Sequence, residues 1–337
     1  MKQTTDKPDR SDEIKFRLAL GFDHNFRVAL ENIGAPFAET AAAFTRNIDR
    51  IVHLVAMPPN VLHWSMLMGS TMQIVSDKMG IGSEIGFDTL KEPDAANAHN
   101  AIAKLVGVHR EALKNDENFR VSKWNNSVTN FENLLDDEIE GRLAIAVDAI
   151  FQSQISAAWT AFESLATDCW IEAVNQRPQT LGEKAWFSTS GDEEPEASEG
   201  KTSRDSIPLS ILRDHGYDVS KSIGTIVHRG RKFKFNRLKG IRTAFTRVFD
   251  NSVNSAFPKF KELLALELLR NVIVHRGGIV DATFLAESKE LPIPLGQEKD
   301  HPLKISGADA AWCVDVSTES AVALITYVSQ WLNSKKT

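Results

Sequence analysis

Wherever this chain has a readable period, apolar residues recur every three or four positions, and that spacing confines it to helices packed on helices. Val121, Trp124, Val128, Phe131 and Leu135 step in this way, as do Ile155, Trp159, Phe162, Ala166, Cys169 and Ala173. Ala321, Ile325, Val328 and Leu332 repeat the pattern in a closing helix, with Ser317 or Thr318 as its expected cap. Against these, only Ile305 and Trp312–Val316 offer a short strand. The spacing predicts a mainly α fold.

Chain breakers divide the pattern. Pro178 is expected to end a long helix running from about 143 to 175. A shorter helix is predicted over Arg237–Val248, and another begins near Pro258 and stops at Gly277-Gly278. At 337 residues the chain exceeds what one core usually supports, about 250–300 residues, so two domains are expected. The polar run Asp136-Asp137-Glu138 marks the boundary, unless it lies inside one continuous helix. This gives a flexible N-terminus over 1–13, an N-terminal helical domain over 14–139 and a C-terminal helical domain over 140–337. Ser188–Ser206, rich in Gly, Ser, Asp, Glu and Pro, reads as a flexible acidic loop at about 188–206.

Two cysteines, Cys169 and Cys313, with no CxxC pair and no His/Cys cluster, argue against a disulfide framework or a zinc site. A reducing cytoplasm is the expected setting. Met1–Glu13 is polar, without the apolar core of a secretory signal. The greasiest stretch, Ile51–Val75, is interrupted by Pro58-Pro59, Asn60, His63 and Ser65 and reads as core rather than a membrane span. His53, His63, Met57, Met66, Met68 and Met72 in that stretch are expected to be core packing rather than a metal or cofactor site.

Chemistry concentrates in two places. From Leu263 to Val274 only Glu267, Arg270 and Asn271 are polar, so a mostly buried helix carries three groups that need partners. At about 100° per residue these three and His275 fall within an arc of about 140°, able to face one cleft. An imidazole exchanges protons near neutrality and a guanidinium grips phosphate oxygens through a fixed fork, a pairing suited to cutting RNA. A plainer assignment stands beside it: Arg270 paired with Glu267 or Glu163, and His275 capping the helix end. Arg46, Asn47 and His53 form an alternative motif on one helix face.

The second place is electrostatic. Net charge is −6, yet Lys221–Phe249 holds nine basic residues and no acidic one. Arg229, Arg231, Lys232, Lys234 and Arg237 are the candidate RNA-backbone contacts, and Phe233 and Phe235 between them stack on bases or belong to the core. A solvated face is the competing reading. The word Ile-Val-His-Arg-Gly occurs at both Ile226–Gly230 and Ile273–Gly277, with flanks that do not match.

Arg270-Asn271-x-x-x-His275, the Gly277-Gly278 stop, the preceding basic helix and the closing helix together resemble the HEPN superfamily over roughly 140–337, closest to its bacterial defence and toxin members. Arg17/His24 and Arg46/His53 satisfy the bare arginine–histidine spacing but lack this context. The resemblance implies a helical bundle and a metal-independent endoribonuclease acting in defence, toxin–antitoxin systems or growth arrest. It implies His275 as general base or acid at the ribose 2′-hydroxyl and Arg270 stabilising the phosphate; by their chemistry and position Asn271 is expected to orient either one, and Glu163 and Glu267 to be supporting structural partners of Arg270. It further implies RNA as substrate, no cofactor and no metal, a homodimer, and room for a neutralising protein partner. Many superfamily members are non-catalytic, so an RNA- or nucleotide-binding scaffold and a helical protein–protein adaptor stay open.

Overall fold

The computed structural model describes residues 25–81, 90–91, 93–137, 141–187, 209–214, 216, 219, 222–231, 233–249, 251–293 and 298–334. The expected flexible N-terminus, the acidic loop over 188–206, Lys232 and the Arg17/His24 pair lie outside them. The fold is mainly α, as the spacing predicts. Backbone contacts separate the described residues into two compact units, one within 52–150, the other within 25–51 and 151–334. No helix among the described residues is long and apolar enough to cross a membrane.

The first unit contains most of helix α2 (Ala38–Met79), with α3 (Asp94–Asn115) and α4 (Glu117–Asp137). Helix α1 (Phe26–Glu31) belongs to the second unit. The expected interior role for Ile51–Val75 needs correction. Helix α2 continues through Pro58 and Pro59, but Leu54, Met57, Val61, Met66, Met72 and Ile74 are exposed. Apolar residues surround this part of the helix, and among the described residues one side of it is left exposed.

A polar seam joins α2, α3 and α4. The Ser127 hydroxyl donates to the Lys123 carbonyl at 2.7 Å, so its single proton is committed. Its 3.0 Å contact with His63 Nδ1 is therefore a bond donated by His63, which leaves His63 Nε2 as a bare lone pair. His109 Nε2 fills that acceptor at 3.1 Å. Trp64 stands edge-on to both rings, with the Arg110 guanidinium over its own face.

The second unit is built on α5 (Arg142–Gln176), which enters it at Phe151. Trp159, Phe162, Cys169 and Trp170 on this helix are all fully buried. Around it lie α6 (Glu183–Phe187), α7 (Leu209–Asp214), α8 (Ile223–Arg231), α9 (Leu238–Phe249), α10 (Phe260–Arg276), α11 (Ala282–Ser288) and α12 (Gly307–Ser334). Buried cross-links fix the packing: Trp170 Nε1 donates to the Ala244 carbonyl at 3.1 Å, and Ser317 Oγ to that of Ala158 at 2.8 Å. At Gly224, α8 comes so close to α5 that an added Cβ would sit 2.2 Å from the Ile171 carbonyl oxygen. Asn175 Oδ1 meets the Gly224 N–H there at 2.7 Å.

Two expectations fail at the last helix. Trp312–Val316 is helical, not a strand, because α12 starts at Gly307, well before Ser317. Its cap is the Ser306–Asp309 box: the Ser306 N–H and Oγ donate to Asp309 Oδ2 at 2.8 and 2.6 Å. The Asp309 N–H donates back to Ser306 Oγ at 3.2 Å. Ile305 precedes the helix, and the bridge Ile279–Pro302 is the extended pairing found among the described residues.

Gly224→Ala forces backbone against backbone and should destabilise the protein by about 1–3 kcal/mol, read as a lower denaturation midpoint. The histidine seam predicts a pH effect. His63 and His109 both titrate below the usual histidine value of 6.5, mainly through burial, with Lys123 disfavouring the charge on each and His63 on His109. The unfolded chain then binds more protons than the folded one, so the seam's stabilisation is complete above about pH 6.5 and declines as pH falls through that value. Melting temperature should drop more between pH 7 and 5 in the wild type than in the His63→Gln/His109→Gln variant.

Candidate functional site

Helix α10 carries the motif, and its end is set by glycine. Gly277 has φ 60° and Gly278 φ 78°, left-handed values that close the helix as the Gly-Gly pair predicts. The Gly278 N–H returns to the Val272 carbonyl at 3.1 Å. Beyond the stop, Asp281 accepts from the Phe284 N–H at 2.7 Å, capping α11, and pairs with Arg276 at 3.3 Å. The turn after His275 is thereby fixed on both sides.

Arg270 and Asn271 are half-buried and touch: Arg270 Nη1 donates to Asn271 Oδ1 at 3.1 Å. This uses the amide's acceptor and leaves its NH2 as the outward donor. His275, one turn further on, is exposed together with Val274 and Arg276. Among the described residues it has no hydrogen bond to Arg270 or Asn271. Arginine and histidine stand five positions apart, a rise of about 7.5 Å, so a bound phosphate would have to span them.

Glu163 on α5 lies within electrostatic reach of both Arg270 and Glu267 on α10. Burial raises the Glu163 carboxyl above the usual carboxylate range, opposed by the Trp159 indole and the Arg270 guanidinium. Glu267 is raised by burial too, against the pull of the Leu238 N–H, Arg237 and Lys239, while Glu163 adds to the rise. Neither carboxylate forms a direct ion pair with Arg270 among the described residues. Glu267 instead accepts from the Leu238 N–H at 3.1 Å, capping the first turn of α9 from the neighbouring helix.

The other sequence candidates fare unevenly. Arg229, Lys234 and Arg237 are exposed, whereas Lys232 and the side chain of Arg231 lie outside the described residues. Phe235 is buried against Trp170 and His228, with ring centroids at 5.7 and 5.1 Å, and Phe233 packs on Trp170 at 4.9 Å. Phe235 belongs to the core, and Phe233 is half-buried at its edge. In the alternative motif Asn47 Oδ1 accepts from Arg50 at 3.4 Å, and both Arg46 and His53 face solvent. The repeated pentapeptide serves two environments: His228 is half-buried within α8, and His275 is exposed at a helix end. Cys169 and Cys313 are buried free thiols, both pushed up chiefly by burial.

Sequence reading passed over a groove of about 560 Å3 on the polar face of α9. Lys239, Arg242, Arg247 and Thr246 line one side, with Asn251, Asn254 and Phe260 across from them. The signal was present: positions 239, 242, 243, 246 and 247 recur at helical spacing opposite the buried Leu238, Ile241, Phe245, Val248 and Phe249. No known protein family, curated protein or solved structure matches this chain.

Because Glu267 works as a cap, Glu267→Ala should cost about 1 kcal/mol in urea denaturation. Glu267→Gln, which keeps an acceptor oxygen, should recover most of that loss. Equal losses would show that the hydrogen bond at Leu238 contributes nothing.

Proposed function

We propose that this protein is a metal-independent endoribonuclease of the HEPN kind, cutting through Arg270 and His275. The observation that carries the reading is the contrast along one helix: an arginine half-buried and held by Asn271, then an exposed histidine ahead of a fixed glycine stop. A held guanidinium is organised to receive charge as it develops on phosphate. An exposed imidazole has access to a ribose 2′-hydroxyl and can pass its proton to the leaving oxygen. The bond from the 2′-oxygen to phosphorus forms as the bond to the 5′-oxygen breaks, leaving a 2′,3′-cyclic phosphate.

Asn271 is the positioning residue, and Glu163 and Glu267 belong to the scaffold behind Arg270. By the same resemblance a homodimer would set two motif helices face to face, and a role in defence, toxin–antitoxin systems or growth arrest would call for a neutralising partner. The exposed Leu54, Met57, Val61, Met66, Met72 and Ile74 on α2 favour a second reading for the first unit, as an adaptor surface for another protein.

His275→Ala and Arg270→Ala should each reduce RNA cleavage by about two orders of magnitude or more, with circular dichroism and melting unchanged. Products should end in 2′,3′-cyclic phosphate, and activity should persist in EDTA. Strict magnesium dependence, or full activity in His275→Ala, would remove the reading and leave the non-catalytic alternatives.

A further inference from the structure

We propose that the groove along α9 binds consecutive phosphate groups, at a site separate from Arg270 and His275. Its two arginines are each positioned over an aromatic ring. The Arg242 guanidinium lies over the Phe260 ring at 4.8 Å and that of Arg247 over Phe233 at 5.7 Å. Neither these two nor Lys239 forms an ion pair with a carboxylate among the described residues, though Lys239 lies within electrostatic reach of Glu267, and the described lining residues include no acidic side chain. Aromatic faces restrain a guanidinium and leave its charge uncompensated. That combination suits an incoming anion.

The neutral groups point the same way. Arg242 Nε donates to Asn254 Oδ1 at 3.0 Å, which leaves its terminal nitrogens as donors and the Asn254 NH2 unspent. Thr243 gives its proton to the Lys239 carbonyl at 2.8 Å, so Thr246 is the hydroxyl with a proton to donate into the groove. Donors therefore outnumber acceptors, as phosphate oxygens require.

Length indicates more than one phosphate. Lys239 and Arg247 stand eight residues apart, about 12 Å along the helix axis. Consecutive phosphates occur in a nucleic-acid backbone and in a free polyphosphate or nucleotide. One face of Phe260 is already covered by Arg242, and the groove's free donors are suited to phosphate oxygens rather than base edges. Phe260 opens α10 and His275 nearly closes it, about 22 Å away along the axis. A ligand here leaves the motif clear, and the inference stands whether or not the motif cleaves RNA.

The test uses the full chain carrying His275→Ala, so that RNA stays intact. Fluorescence anisotropy with a labelled single-stranded RNA, and calorimetry with inorganic tripolyphosphate and ATP, separate the two sources of phosphate. Lys239→Gln/Arg242→Gln/Arg247→Gln should weaken whichever ligand binds by at least tenfold. For RNA it should also flatten the salt dependence by about 0.7 log unit per lost contact. Arg242→Lys, which keeps charge and removes the guanidinium fork, should fall between the two, with all melting curves alike. RNA binding that responds identifies a backbone track; tripolyphosphate and ATP binding without RNA identifies a free-polyphosphate site. Absence of binding by all three probes, or equal binding by the triple variant, overturns the proposal. Cleavage by the otherwise wild-type chain is scored separately and decides the Arg270–His275 reading on its own.

Discussion

Burial of α5 on almost every side is the constraint from which the second unit follows. Within that unit, Ser153, Thr160, Ser164 and Asp168 form the exposed strip of the helix, while Trp159, Phe162, Cys169 and Trp170 are fully enclosed. A helix this apolar has to be surrounded. The neighbours approach closely enough that Gly224 meets its backbone and Ala244 and Ala158 offer carbonyls to Trp170 and Ser317. The motif helix α10 takes its place within that packing, and its polar residues occupy the sector where α5 presents Glu163.

This arrangement divides the labour among the charged groups. Burial raises the carboxyls of Glu163 and Glu267, the Arg270 guanidinium opposes that rise at Glu163, and Arg237 and Lys239 oppose it at Glu267. Glu267 also ties α9 to α10 through the first turn of the basic helix. One residue thereby couples the positions of two cationic regions, the motif and the groove, lying towards opposite ends of α10.

Much of the helical framework was legible because 3.6-residue spacing survives in single segments: α5, α9 and the Gly-Gly stop of α10 all fall where periodicity and breakers put them. The failures have physical causes. Trp312–Val316 alternates locally like a strand, but burial across α12 outweighs the β preference of a few residues. Ser306 was overlooked as the cap because its partner Asp309 precedes the apolar run that drew attention to Ser317. Apolar content in Ile51–Val75 said nothing of whether a neighbour exists to cover it. At the candidate site, residue types and spacing were readable, whereas the Arg270–Asn271 contact and the cap made by Glu267 depend on rotamers and on a second helix. Charge density along the chain does not reveal the groove, because helical geometry brings only positions 239, 242, 243, 246 and 247 of the basic run onto one face.

The histidine seam of the first unit has a fixed proton capacity. With Ser127 committed to the Lys123 carbonyl, His63 keeps its proton on Nδ1 and accepts at Nε2. His109 can take up one proton at Nδ1 and still donate from Nε2, so the first charge leaves the 3.1 Å contact in place. A second has only the accepting atom of His63 to occupy, and two facing N–H groups cannot share that distance. The 3.1 Å contact between the two rings is thus compatible with one added proton and incompatible with two.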